Sequence, residues 1–345
     1  MMTETVLETR DLSIGYKQPR APLCVVAEHL SLKLAAGELV CLIGPNGVGK
    51  STLLRTLVGM QPPLRGEVLL QGRAVHAMSP REMAKHLSIV LTDHVDVGLL
   101  SVHDLVALGR HPHTGWSGRL SSVDEDVICW ALCKVGAADL AQRSVGELSD
   151  GERQKVMVAR ALAQEPQVII LDEPTAYLDL PHRVEMMRIL RDLTLKTERA
   201  VLLSTHDLDL ALRTADEIWL LSDGGAVYVG GPEDLVLSGA FEAAFNSTGA
   251  TFDRGSGFFN IDTQVLGEVD LEGEGLYTHW TKRALKRAGF KVNKGGKDAP
   301  FRVDILPHNG DTCWRLSFRG TALKCTSLQE LVSALQRENG ENHEW

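Results

Sequence analysis

The chain has 345 residues, 44% of them hydrophobic and 23% charged, with a formal net charge of −9. That length points to two folding units, and the composition is that of a folded globular protein. The 13 basic and 13 acidic residues of positions 248–345 cancel, so the whole −9 lies in 1–247 and supplies no basic patch for nucleic acid.

No run approaches the roughly 18 apolar residues that span a bilayer, and the N-terminus Met1-Met2-Thr3-Glu4-Thr5 lacks a leader pattern. A cytosolic chain is expected. Val6 to Tyr16 alternates apolar and polar residues as a half-buried strand does, and Cys24 to Leu34 repeats the pattern. These two runs predict an antiparallel β subdomain. Leu39-Val40-Cys41-Leu42-Ile43 is uniformly apolar, the mark of a buried strand.

The next stretch, Gly44-Pro45-Asn46-Gly47-Val48-Gly49-Lys50-Ser51-Thr52, fits G-x-x-x-x-G-K-[ST] at every specified position. Such a loop wraps a triphosphate in backbone N–H groups, which requires positions without obstructing side chains. Lys50 would neutralise the outer phosphates, Ser51 would offer its hydroxyl to Mg²⁺, and a helix from Thr52 to Leu57 would turn its N-terminus to the same phosphates.

Gly66 to Gly72 reads as a return strand, Ser79-Pro80 as a helix start and Leu87 to Asp93 as a short strand. Helical periods follow at Val102 to Gly109 and Val123 to Val135, with Gly136 as a stop. Such an insertion, about 94–145, is expected to pack as its own lobe and to dock a partner. Of the six cysteines, Cys129 and Cys133 share one face of this second helix and read as small core hydrophobes. No Cys/His cluster has zinc spacing.

Ser149 and Glu152 have the spacing of a capping box for a helix running to Ala163, but a cap alone would not require Gly151. Val168-Ile169-Ile170-Leu171 ends in Asp172-Glu173, two carboxylates at the end of a strand that faces the ligand crevice of a parallel sheet. One can hold Mg²⁺ while its neighbour acts as base toward water. Ala200 to Ser204 repeats the design with His206 beyond its end.

Gly44 to Thr52, Leu148-Ser149-Asp150-Gly151-Glu152, Val168 to Glu173, Ala176-Tyr177-Leu178-Asp179 and His206 stand in one order. In that order they resemble the Walker A, signature, Walker B, D-loop and H-loop of the ATP-binding-cassette (ABC) family over roughly 4–245. The resemblance implies an α/β P-loop cassette, with a parallel core sheet, an antiparallel β subdomain and a helical subdomain. It also implies an ATPase using ATP and Mg²⁺, peripheral on the cytoplasmic face of the membrane. Two copies would pack head to tail, with Leu148 to Glu152 of one covering the nucleotide on 44–52 of the other.

By the same likeness Ser51 and Asp172 serve Mg²⁺, Glu173 is the general base, His206 contacts the γ-phosphate, Asp179 links the two sites and Tyr16 takes the adenine. Read alone, Tyr16 is an ordinary strand residue. The family's Q-loop glutamine falls on Asp93, or alternatively Thr92, so Asp93 is a shorter and charged metal ligand in that role.

Val106-Ala107-Leu108-Gly109-Arg110-His111-Pro112-His113 and Leu178-Asp179-Leu180-Pro181-His182-Arg183 are similar to cassettes of importers for iron siderophores, haem and cobalamin. Partners would be a second cassette, a transmembrane permease and, indirectly, a substrate-binding protein. The rival reading is a soluble cassette acting on ribosomes or nucleic acid. Ribosomal members usually fuse two cassettes and repair members carry long insertions, neither of which this sequence shows.

The cassette is expected over 1–247, with a Gly/Ser/Thr-rich linker at 248–262 and a small α+β domain at 263–345 on which the family likeness is silent. In that domain strands are expected at 264–271, 303–306, 314–318 and 322–325, with helices at 277–288 and 328–337. Lys282, Arg283, Lys286 and Arg287 read as a solvated helix face.

Overall fold

The computed structural model describes residues 4–17, 23–91, 100–116, 118–245, 251–255, 257–260, 265–293, 299–308 and 311–340. They fall into two compact units, 1–260 and 261–345.

In the first unit β1 (Thr5–Lys17) pairs antiparallel with β2 (Leu23–Leu30) and β3 (Lys33–Ala35). The chain then enters β4 (Leu39–Ile43), buried throughout, and passes through the loop 44–49 into α1 (Lys50–Leu57). β5 (Arg65–Leu70) returns to β1 and turns at Gln71-Gly72 into β6 (Arg73–Ala74). Next come α2 (Pro80–Met83), N-capped by Ser79, and β7 (Leu87–Val90).

The helices α3 (Val102–Ala107), α4 (Ser122–Val135) and α5 (Asp150–Ala163) each begin with a capping box, at Ser101/Asp104, Ser121/Asp124 and Ser149/Glu152. The rest of the unit comprises β8 (Val168–Leu171), α6 (Leu180–Thr197), β9 (Ala200–Ser204), α7 (Leu208–Thr214), β10 (Glu217–Leu221), β11 (Val227–Gly230), α8 (Pro232–Ser238), α9 (Ala240–Phe245), β12 (Thr251–Asp253) and β13 (Phe258–Asn260).

The core sheet has the order β11-β10-β4-β9-β8-β7, parallel except for the edge strand β11. Its strands send alternate residues into two apolar layers, as the pleat requires. Leu39, Cys41 and Ile43 of β4 join the layer built from the helices, while Val40 and Leu42 join the layer under α1 and the β subdomain. Walker strand β4 and carboxylate strand β8 therefore point the same way with β9 between them, which sets the site's chemistry below.

Val102, Leu105, Ile128 and Leu132 of the helical insertion belong to the same apolar cluster as the sheet, bridged by Val156, Ala159 and Leu162 of α5. Two expectations need correction. Cys129 and Cys133 do share a face of α4, but both are exposed. The inward stripe is Ile128, Ala131, Leu132 and Val135, one position out of phase with the thiols. Within the expected linker, 251–253 and 258–260 form the hairpin β12–β13. Its Phe252 stacks on Phe241 at 5.1 Å and Phe259 meets Phe245 at 4.9 Å, so these aromatics belong to the cassette core.

In the second unit the elements are β14 (Gly267–Glu272), α10 (Leu276–Arg287), β15 (Phe290–Asn293), β16 (Phe301–His308), β17 (Asp311–Phe318), β18 (Thr321–Cys325) and α11 (Leu328–Gly340). The sheet order is β15-β14-β16-β17-β18. Val269, Val303 and Leu316 form the core with Leu285 of α10 and Leu331 and Leu335 of α11. Trp314 buries its ring there and donates its indole N–H to Thr281 Oγ1 at 2.7 Å. The short strand β15 is an element the sequence reading missed. Lys282, Arg283, Lys286 and Arg287 all lie on the exposed side of α10.

Candidate nucleotide site

At its two ends, Gly44 and Gly49, the loop 44–49 is bare because its neighbours leave no room. A Cβ on Gly44 would stand 2.5 Å from the carbonyl oxygen of Leu221 at the end of β10, and one on Gly49 would stand 2.0 Å from Val26 Cγ1 of β2. Gly49 also sits at φ 111 as the N-cap of α1, a conformation costly for residues with a Cβ. Val26 is thus a site residue that alternating hydrophobicity could not single out. Asn46 and Gly47 are exposed at the loop tip, Pro45 and Val48 are half-buried beside it, and Ser51 and Thr52 open α1.

Lys50 is 6% exposed, and its ammonium donates to the carbonyls of Gly44 at 2.8 Å and Pro45 at 3.0 Å. Burial pulls its pKa down, while Glu173 and Asp172 pull it back up. The cation therefore sits on two loop carbonyls with two carboxylates close enough to feel it.

Those carboxylates are organised by β9. Ser204 is fully buried, donates to Asp172 Oδ1 at 2.7 Å and accepts from the Glu173 backbone N–H at 2.8 Å. Asp172 is further fixed by its own N–H on the Val90 carbonyl. Glu173 has φ 50, a left-handed backbone unusual outside glycine, and its Oε1 lies 2.5 Å from His206 Nε2. Asp172, Glu173 and His206 are thus brought together as the sequence suggests. Ser204 is the member it missed, although a hydroxyl two residues before His206 was a readable signal. Ser204→Ala is expected to lower the turnover number about tenfold and cost about 1–2 kcal/mol of stability, leaving metal-free nucleotide binding unchanged. Steady-state kinetics and thermal unfolding check both.

Ser149 caps α5, taking a hydrogen bond from the Glu152 N–H, while its own N–H donates to Glu152 Oε2 at 2.9 Å. That N–H, together with the Ser149 hydroxyl on the same oxygen, holds the Glu152 carboxyl below its usual range. Leu148 is buried, Asp150 exposed and Gly151 buried. Among the described residues no hydrogen bond or ion pair joins 148–152 to 44–52; the side chain of Glu152 pairs with Arg143 and Ser149.

Asp179 caps α6, and Arg183 beyond it donates to the Leu178 carbonyl at 2.7 Å and reaches Asp207 at 3.7 Å, next to His206. Tyr16 is 42% exposed near the end of β1. Asp93 and Thr92 lie outside the described residues.

The Gly109-Arg110 pair is structural. A Cβ on Gly109 would strike the Arg160 carbonyl at 2.3 Å, and buried Arg110 binds Asp124 at 2.8 Å, Glu165 at 2.7 Å and the Ala163 carbonyl at 2.7 Å. Hydrogen bonds from the Ser121 hydroxyl and backbone, then from Arg110, push Asp124 down to about 2. Its contribution to stability is present above pH ~4 and lost as pH falls toward about 2. Arg110→Ala is expected to cost about 3 kcal/mol by leaving Asp124 buried without its cation, with ATP affinity unchanged. Denaturant melts and nucleotide titration read the two separately.

A central parallel strand, a bare loop on a helix N-terminus and carboxylates at the end of a neighbouring strand define a P-loop nucleoside triphosphatase. Residues 27–176 match the family model described as ABC transporter, and 266–336 match the one described as Iron ABC transporter C-terminal domain. An uncharacterised ABC transporter ATP-binding protein of Methanocaldococcus jannaschii is 40% identical over 261 residues, 76% of this chain and 88% of that protein. An iron(3+)-hydroxamate import ATP-binding protein of Bacillus subtilis is 39% identical over 224 residues, 65% of this chain and 81% of that protein.

Among solved structures, a metal-chelate type ABC transporter in an inward-facing conformation aligns with TM-score 0.61 and 28% identity, over 70% of this chain and 90% of that one. A dimeric cassette in a post-hydrolysis state with ADP and Pi aligns with TM-score 0.58 and 25% identity, over 66% and 98%. The chain belongs to the ATP-binding proteins of ABC transporters, and it is an ATPase of that family.

Proposed function

We propose that this chain is the ATP-hydrolysing subunit of an importer that takes up an iron chelate, a siderophore, haem or a cobalamin-like compound, through a separate permease at the cytoplasmic membrane face. A substrate-binding protein would deliver the chelate. The observation that carries the cargo is that the α+β unit matches an iron ABC transporter domain, joined in one chain to a cassette similar to an iron-hydroxamate import protein.

Asp172, braced by Ser204, and the Ser51 hydroxyl form a hard oxygen set that suits Mg²⁺ alongside phosphate oxygens. Bound there, the ion would neutralise charge developing on the phosphates. Lys50 exchanges its loop carbonyls for phosphate oxygens, Glu173 takes a proton from the attacking water, and His206, beside Glu173, contacts the γ-phosphate. Tyr16 stacks on the base. The signature segment, which makes no hydrogen bond or ion pair to its own loop among the described residues, serves the site of a second copy, as the similarity to a dimeric cassette supports.

The test is purification from membranes in mild detergent. A copurifying permease is the expected result; recovery only with ribosomes or nucleic acid would overturn the importer in favour of a soluble cassette.

A further inference from the structure

We infer that His182 is a positioning residue that ties the D-loop aspartate to the signature glycine of its own chain, making occupancy of one nucleotide site felt at the other. The inference rests on the two-cassette reading above. It starts from a contact that neither motif predicts. The first turn of α6 lies against the N-terminus of α5, so a Cβ on Gly151 would stand 3.1 Å from His182 Cδ2 and 3.3 Å from Cγ. The glycine has a reason beyond the cap: a Cβ there would crowd the ring.

The same ring turns its Nδ1 to Asp179 Oδ1 at 2.5 Å, and that oxygen also accepts from the His182 backbone N–H at 3.1 Å. These two bonds hold the Asp179 carboxyl below its usual range. An ionised carboxylate only accepts, so Nδ1 carries the proton. Lys155 and Glu185, at 2.7 Å, clamp the two helices one turn further on.

In a head-to-tail pair Gly151 faces the γ-phosphate of the partner's nucleotide and Asp179 lies between the two sites. A phosphate arriving at Gly151 presses on the ring, and the ring moves Asp179. The coupling is therefore a chain of one van der Waals contact and one hydrogen bond, inside a single protomer. Arg183, the adjacent residue, carries the same displacement toward Asp207 and the His206 segment.

The test uses the full chain with ATP titrated against the rate of phosphate release, and a fluorescent ATP analogue to measure binding. His182→Ala should leave analogue affinity within about twofold and lower the turnover number about tenfold, with the Hill coefficient falling from near 2 toward 1. His182→Asn, whose side-chain N–H can reproduce the Nδ1 donor, should restore most of the cooperativity. In a double-mutant cycle, Asp179→Asn should add little to His182→Ala.

A parent-like Hill coefficient and rate in His182→Ala would overturn the inference, as would His182→Asn behaving like His182→Ala. A parent chain without cooperativity, together with a Glu173→Gln variant that stays monomeric in ATP, would overturn the two-cassette reading itself. Parent and mutant results thus separate the two failures.

Discussion

Glu173→Gln is expected to lower the turnover number by about 10³-fold while ATP still binds with near-parent affinity. The substitution keeps size and shape but replaces an oxygen that accepts a proton with an amide that cannot. Its contacts predict a clean loss of chemistry. The backbone N–H of Glu173 remains on Ser204, and the side chain can still hydrogen-bond His206. The left-handed backbone at 173 and its N–H on Ser204 do not involve the carboxylate, so the fold is retained. Phosphate release and equilibrium binding of a fluorescent nucleotide, measured on one preparation, read the two effects. Equal turnover in variant and parent would remove Glu173 from the role of base.

Lys50→Met should show the opposite pattern, with ATP affinity reduced about 10²-fold by loss of the charge-assisted bonds to phosphate. The nucleotide-free protein should not be destabilised in proportion. Lys50 is buried with two carbonyls as partners, and its pKa is lowered by that burial. A depressed folded pKa means that the unfolded chain binds more protons, so this residue's contribution to stability rises with pH. The rise begins at the folded pKa and ends near 10.4. Lys50→Met should abolish that rise. Thermal unfolding of both proteins across alkaline pH, without nucleotide, checks it.

How much of this was legible depended on whether the signal was local. Gly44 to Thr52 and the capping boxes are short-range patterns, and the structure places the loop, α1 and α5 where the pattern puts them. The Asp172-Glu173 pair was readable because a parallel strand must end at the crevice. What was not legible comes from packing between distant segments. Val26 over Gly49, Ser204 under Asp172 and His182 against Gly151 join residues 23, 32 and 31 positions apart, and no periodicity encodes such contacts.

The errors have the same origin. Cys129 and Cys133 share one face of α4, but it is the exposed face, because only the position of α5 decides which face turns inward. Residues 251–260 read as a linker by their Gly, Ser and Thr content, yet Phe252 and Phe259 pair across a hairpin and find aromatic partners in Phe241 and Phe245 of α9. β15 was missed because four residues after a glycine carry too little pattern to separate a strand from a loop.

The most direct test of the shared nucleotide site is the solution mass of Glu173→Gln, by light scattering, with and without saturating ATP and Mg²⁺. The two-cassette account predicts a single-chain mass without nucleotide and twice that mass with it. A single-chain mass at saturating ATP, in protein shown by the fluorescent analogue to be loaded, would contradict it.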